Sequence, residues 1–180
     1  RLLDIILSLI AIIILLPIYA IISILVLIFM GWPILFKQPR PGKNEKIFNM
    51  YKFRTMTNKR DKNGNLLPDK ERLNKFGKLL RSTSLDELPE LFCILTGKMS
   101  LVGPRPYLLS EKEEMGEYYK YIIKSKPGLT GLWQVSGRSN LTFEDRLKLD
   151  EEYSNRQGNI RDFKILIKTF HKVFGEEGAI

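Results

Sequence analysis

Cysteine and histidine are nearly missing from this 180-residue chain, each occurring once, as Cys93 and His171. A single cysteine excludes an internal disulfide, and the two residues together are too few for the usual cysteine-histidine zinc sites. His171 stands alone in an amphipathic stretch, which argues against a histidine-dependent phosphatase. No P-loop pattern, dinucleotide fingerprint, internal repeat or low-complexity tract is present. Any chemistry must come from carboxylates, hydroxyls, lysines and arginines, on a chain long enough for one catalytic unit.

Charge is also missing from Ile5 to Phe36, where only Ser8, Tyr19 and Ser23 are clearly polar. That stretch exceeds the roughly 20 residues that cross a bilayer, so it is a membrane element. It lacks the short apolar core and small-residue cleavage site of a signal peptide. Pro17 falls near its middle, where it removes a helical hydrogen bond and crowds the carbonyl of Ile13. Each half reaches only about 18 Å, against about 30 Å of hydrocarbon. Two topologies follow: a tilted, kinked span, or a re-entrant helix that dips in and returns to the same face. Arg1 before the segment and Lys37, Arg40 and Lys43 after it put cytoplasmic-type charge at both ends and lean towards re-entry, although Asp4 offsets Arg1.

The formal charge of +9 is unevenly placed. Residues Lys37 to Leu80 hold 13 Lys/Arg against 4 Asp/Glu, whereas Arg81 to Ile180 hold 15 of each. A basic block beside a membrane element suits an anionic leaflet, at roughly 1 kcal/mol per basic group near the surface. Nucleic acid would attract the same charge, but no helix-turn-helix, zinc-finger or ribonucleoprotein signature accompanies it, and nucleic acid is not an expected partner.

Two short strands around Pro39-Arg-Pro-Gly predict a β-hairpin over residues 33–54. Helical spacing predicts helices over Asp69 to Leu80, Leu88 to Leu95, Ser110 to Lys124, Phe143 to Tyr153 and Asp162 to Phe174. The last sets Phe163, Leu166, Ile167 and Phe170 opposite Lys164, Lys168 and Lys172, which suits a core or a membrane interface. The expected fold class is α+β, mostly helical.

The densest chemistry is Arg81-Ser-Thr-Ser-Leu-Asp86-Glu87-Leu-Pro89, adjacent carboxylates after an arginine and several hydroxyls. Pro89 is tolerated only in the first helical turn, so a helix beginning near Asp86 is expected. The plain structural alternative is that Asp86 is an N-cap and Glu87 a first-turn acid. The functional one is that the pair supplies a nucleophile and a metal or proton ligand. Three further segments combine turns with arginine: Lys52-Phe-Arg54-Thr, Gly103-Pro-Arg105-Pro, and Pro127-Gly-Leu-Thr-Gly-Leu-Trp-Gln-Val-Ser-Gly-Arg138. Such loops let backbone N–H groups and a guanidinium approach phosphate oxygens, and they serve equally as ordinary structural turns. Trp133 suits either stacking on a base or a buried anchor for its loop.

In order along the chain, Arg-Pro-Gly, Tyr-Lys-Phe-Arg-Thr-Met, Leu-Arg-Ser-Thr-Ser-Leu-Asp-Glu-Leu-Pro, Met-Ser-Leu-Val-Gly-Pro-Arg-Pro and Pro-Gly-Leu-Thr-Gly-Leu-Trp-Gln-Val-Ser-Gly-Arg follow the proline-containing apolar start. This closely resembles the bacterial sugar transferase family, the monotopic phosphoglycosyl transferases, particularly its small PglC-like members. The resemblance implies a re-entrant membrane helix over residues 1–36 broken at Pro17, and a catalytic domain over 37–180 with interfacial amphipathic helices on the cytoplasmic face of the bacterial inner membrane. Leu16 stands where small members often carry serine.

The resemblance also implies a covalent phosphosugar on Asp86, with Glu87 beside it and Mg2+ held by the two. Phosphate contacts fall on Arg81, Arg105 and Arg138, with Lys52, Arg54, Asp150 and Asp162 in possible supporting positions; Asp4 matches too, with no transferable role. The implied reaction moves a sugar 1-phosphate from a UDP-sugar to undecaprenyl phosphate with release of UMP, the first membrane step of glycoconjugate assembly. An N-acetylated sugar such as N,N′-diacetylbacillosamine is the expected cargo. The alternatives are direct attack of the lipid phosphate on the donor, and a non-enzymatic membrane-anchored basic module.

Overall fold

The computed structural model describes residues 1–137 and 140–174. The apolar run forms one helix, α1 (Leu2–Met30), with Pro17 inside it. The expected break at Pro17 is therefore corrected at the level of secondary structure: proline deletes a single N–H donor, and the helix continues beyond it. One stripe of α1, containing Ser8, Ile12, Ile22, Val26 and Met30, is buried against the remainder of the chain. The opposite stripe leaves Leu3, Ile10, Ile14, Ile21 and Ile28 exposed.

Both ends of α1 are tied to the same body. Arg1 donates to the carbonyls of Ile94 and Leu95 at 2.7 and 2.9 Å. The Asp4 carboxylate accepts from the Ser100 hydroxyl and the Leu101 N–H, each at 3.0 Å. At the other end Arg54 donates to the carbonyls of Met30 and Pro33 at 2.9 and 3.0 Å, satisfying acceptors that a helix C-terminus leaves open.

The expected hairpin is β1 (Leu35–Pro41) antiparallel to β2 (Ile47–Phe53), with Leu35 opposite Phe53 and Pro41 opposite Ile47. Its Phe48 and Met50 pack with Ile12 of α1, and Phe53 packs with Ile22, Val26 and Met30. The helix expected over Asp69 to Leu80 divides into α2 (Asp69–Arg72) and α3 (Lys75–Ser82), because Asn74 leaves helical geometry and caps α3 by accepting from the Gly77 N–H at 2.8 Å. Leu80 of α3 joins the cluster under α1. A tight turn, Leu85–Glu87, leads to α4 (Glu90–Leu95), whose Leu91, Cys93 and Ile94 complete the cluster around Ile12.

Beyond α4 come β3 (Ser100–Val102), α5 (Lys112–Met115), α6 (Tyr119–Ile122), β4 (Gly128–Thr130), α7 (Leu132–Ser136), α8 (Phe143–Asn155) and α9 (Asn159–Phe174). The single helix expected over Ser110 to Lys124 is interrupted where Gly116 takes a φ of 53°, outside helical geometry. β3 and β4 pair in parallel and bring the second and third arginine motifs together. A Cβ on Gly128 would stand 2.1 Å from the Gly103 nitrogen, so glycine here permits backbone-on-backbone contact between the two loops.

Candidate active site

The site centres on the Leu85–Glu87 turn. Ser84 precedes it in the left-handed region, φ 55°, an uncommon conformation for a side chain with Cβ and a local strain of the kind that clusters at functional positions. Pro89 caps α4, so both carboxylates lie in the turn before that helix rather than within its first turn.

Asp86 is only 8% exposed and lines an open cleft of about 870 Å3 between the hairpin, the segment after β2, and α3. Burial pushes its carboxyl up to about 6; Glu87 adds to the rise, and Lys52 and Arg81 oppose it. The cleft wall carries Lys37, Arg40, Lys52, Arg54, Arg72 and Arg81 against Asp69 and Asp86. Such a surface is suited to a polyanion carrying several phosphate oxygens.

Lys52 of β2 is the electrostatic hub. Its Nζ lies 2.6 Å from Glu87 Oε1 and 3.2 Å from Oε1 of Glu90, the latter at an angle that forms no hydrogen bond. Burial works to lower the Lys52 pKa, but the carboxylates outweigh it and hold the ammonium raised. One cation cannot satisfy both partners. Glu90, only 3% exposed, is pushed up to about 7 by its burial despite the lysine, so it is the acid of the group that readily keeps a proton. Glu90 was not among the residues singled out in the sequence. Its only signal there is a third acid one turn after the dyad.

Glu87 turns away from the large cleft and lines a separate cavity of about 280 Å3 with Thr130, Gln134 and Lys172. The two adjacent carboxylates thus face different spaces, joined electrostatically through Lys52. Arg81 is held by its Nε, which donates to Thr55 Oγ1 at 3.0 Å. Arg54 lines the cleft, yet its hydrogen bonds go to the backbone carbonyls of Met30, Gly31, Pro33 and Met56, so the structure gives it a task in anchoring the end of α1 that its motif did not indicate.

The other marked residues lie apart from the cleft. Arg105 is exposed, its guanidinium 5.8 Å from the centroid of the Trp133 ring, which Arg146 approaches to 5.1 Å. Trp133 itself is buried, as an anchor of its loop. Asp150 is fully buried, and one oxygen accepts from the Arg105 N–H at 3.1 Å and the Tyr107 hydroxyl at 2.9 Å, fixing the Gly-Pro-Arg-Pro loop. The Asp162 carboxylate lies 2.7 Å from the Tyr153 hydroxyl and is raised by burial, which ties α9 to α8. Arg138 lies outside the described residues.

The second Asp150 oxygen has no partner, and burial pushes the group up to about 7. An acid with a raised folded pKa contributes stability below its unfolded pKa near 3.8 and loses it as pH rises through about 7. Asp150→Asn keeps one acceptor oxygen and removes that dependence. Relative to wild type the variant should gain stability between pH 5 and pH 8, by roughly 1–4 kcal/mol, as read by denaturant unfolding at the two pH values. Parallel pH dependence in both proteins would show that Asp150 is ionised throughout.

Over residues 1–176 the sequence matches the family described as bacterial sugar transferase. This chain belongs to that family. It is 47% identical to the "Uncharacterized sugar transferase EpsL" of Bacillus subtilis, over 82% of this chain and 73% of that protein. It is 37% identical to the "Undecaprenyl-phosphate galactose phosphotransferase" of Salmonella typhimurium, over 83% of this chain and 35% of that protein. Identity to the "UDP-glucose:undecaprenyl-phosphate glucose-1-phosphate transferase" of Klebsiella pneumoniae is 38%, over 99% of this chain and 41% of that protein. The chain thus spans less than half the length of the latter two relatives.

Proposed function

We propose that this chain transfers a sugar 1-phosphate from a UDP-sugar to undecaprenyl phosphate, with Asp86 as the nucleophile. The observation that carries the proposal is a single buried carboxylate set into a cleft dominated by cations, with an apolar helix packed alongside. In the first step a carboxylate oxygen of Asp86 attacks the β-phosphorus, the bond to the oxygen bridging the two phosphorus atoms breaks, and UMP leaves with that oxygen. In the second, an oxygen of the lipid phosphate attacks the same phosphorus and the Asp86 oxygen departs as carboxylate. One diphosphate linkage is consumed and another formed, so no separate energy source is required.

Arg81 and Lys52 offset the repulsion between the carboxylate and a diphosphate, an effect strongest where water is excluded. The donor set also fits Mg2+. Among the described residues no group of three or more His, Cys, Asp or Glu is arranged to hold a metal. Mg2+ needs only one or two carboxylates when water and substrate phosphates fill its shell, and Asp86 in the cleft offers one. Asp86, the carboxylate that faces the cleft, would hold it beside the substrate phosphates, whereas Glu87, turned to the other cavity and paired with Lys52, does not fit as a joint ligand; when bound, the ion would neutralise phosphate charge.

Residues 1–36 form the membrane element of this proposal and 37–180 the catalytic body. The attachment of both α1 ends to one body, with an apolar stripe facing outward, supports a monotopic arrangement on the cytoplasmic face of the inner membrane. Single-cysteine probes near Arg1 and Lys37, in a Cys93→Ser background, should be labelled from the cytoplasmic side alone; labelling from opposite sides would establish a span instead.

A panel of UDP-sugars with undecaprenyl phosphate, read by UMP release, tests the activity. UDP-galactose and UDP-glucose enter it on the names of the relatives, and UDP-N,N′-diacetylbacillosamine on the sequence resemblance. Lipid-dependent UMP from one donor is expected. No UMP from any donor, with salt-sensitive binding to anionic lipid, would favour the basic interaction module.

A further inference from the structure

A second cavity, about 550 Å3, lies beside the cleft and differs from it in character. Tyr19, Trp32, Leu35, Phe53, Pro89 and Phe92 supply most of its wall, from α1, the hairpin and the start of α4. Among the described residues that line it none is charged, and its hydroxyls belong to Tyr19, Ser23 and Tyr51. The Tyr19 hydroxyl donates to the Leu88 carbonyl at 2.5 Å, which ties α1 to the segment after the dyad and leaves the ring face to the groove. Phe92 stands edge-on to Tyr19, ring centroids 5.7 Å apart. Despite this enclosure Trp32 is 75% exposed and Phe92 45% exposed, so the groove has an open aromatic mouth. The volume lies within the roughly 300–1,000 Å3 range of small-molecule sites.

Continuity decides what such a groove would take. Pro33, Leu35 and Phe53 line both cavities, so the apolar groove and the cationic cleft share a wall, and Pro89 follows Asp86 by three residues. A nucleotide sugar brings one flat base that could stack on a ring, but its ribose, diphosphate and sugar are polar and would leave most of an apolar groove unfilled. An amphiphile with a phosphate head and a hydrocarbon chain fills both spaces at once, head towards the cations and chain along the rings. The helix forming one wall exposes an apolar stripe on its other side, so the groove lies where a lipid chain can enter laterally. A single chain joined directly to a phosphate monoester suits this one groove beside one cationic cleft. A diacyl phospholipid brings two chains and a glycerol between chain and phosphate.

We propose that this groove is the acceptor subsite, holding the first isoprene units of the polyprenyl phosphate so that its phosphate is presented to the Asp86 cleft. The inference rests on the proposed transfer reaction and adds to it the place where the lipid binds.

Two measurements on the full chain in nanodiscs test it. Undecaprenyl phosphate carrying a photoreactive diazirine near its head should label peptides containing Trp32 to Leu35 and Phe92, and unmodified undecaprenyl phosphate should compete. Trp32→Ala and Phe92→Ala should raise the KM for the lipid about tenfold each, the loss expected for one ring, and leave the KM for the UDP-sugar unchanged. Labelling confined to the outward stripe of α1, equal labelling by a diacyl phosphatidic acid probe, or donor and acceptor KM values rising together would overturn the assignment. Photolabelling needs no turnover. If wild type releases no UMP from any donor, the transfer reaction fails, and the labelling pattern still decides for or against the groove.

Discussion

Asp86→Asn should abolish UMP release, by a factor on the order of 10⁴ or more, while the protein becomes more stable rather than less. The second half of that expectation separates a nucleophile from a helix-terminus residue. Asp86 is held up to about 6, mainly by burial and then by Glu87. Its contribution to stability is complete below its unfolded pKa near 3.8 and is lost as pH rises through about 6. At pH 8 the ionised group costs roughly 1–3 kcal/mol, which a neutral amide of the same shape avoids. In chelator-containing buffer the variant should therefore unfold at a higher temperature than wild type at pH 8, with the difference shrinking towards pH 4. A residue kept only to cap a helix would give the reverse, a less stable variant with activity retained. The trade of stability for reactivity is common at active sites.

The second large effect belongs to Lys52. Lys52→Met leaves Glu87 and the buried Glu90 beside Asp86 with no ammonium between them. Stripping one partner from a buried ionic group costs about 3–5 kcal/mol, because the remaining charge keeps its desolvation penalty. Glu87 is partly solvated, so about 3 kcal/mol at pH 8 is expected, and less at pH 5, where Glu90 holds a proton and the repulsion is relieved. The double variant Lys52→Met/Glu90→Gln should recover much of the loss, a coupling that a double-mutant cycle by urea unfolding measures directly. Turnover should fall on the order of 10²-fold in both proteins, since the ammonium beside the two carboxylates, one of the cations lining the cleft, is gone in each. Additive stability effects would mean that the lysine and Glu90 do not interact.

Local rules made a good part of this molecule legible. Turn residues around Pro39 and Gly42, flanked by alternating apolar positions, marked the hairpin, and apolar spacing marked α8 and α9 to within a few residues. The motif around Asp86 marked the cleft. The helices misjudged in extent failed at single residues whose preference is conditional. Asn74 acts as a cap only because its side chain reaches Gly77, and Gly116 ends α5 by adopting a positive φ that glycine permits but does not require. The three-residue strands β3 and β4 are too short for a period to show, and exist because Gly103 and Gly128 let two loops touch.

The site residues whose setting the sequence does not show depend on contacts made far along the chain. Arg54 sits in a motif rich in phosphate-binding character, yet its donors reach the carbonyls of Met30 and Pro33, more than twenty residues earlier, at and just after the end of α1. Glu90 matters through Lys52, 38 residues before it, and no spacing rule connects a strand residue to a helix start. Asp150 is marked in the sequence only as a supporting position, and the fold buries it under the Arg105 loop, where it accepts from the Arg105 N–H. Chemistry was visible where neighbouring residues share it, and hidden where packing joins distant ones.

Intact-protein mass spectrometry, with the UDP-sugar that supports turnover and Mg2+ but no lipid acceptor, addresses the central claim most directly. The account predicts a mass increase of one sugar phosphate on wild type, mapped by peptide analysis to Asp86, missing from Asp86→Asn and discharged on adding undecaprenyl phosphate. Turnover with lipid present, together with no such adduct after rapid quenching without lipid, would contradict it and assign the reaction to direct attack by the lipid phosphate.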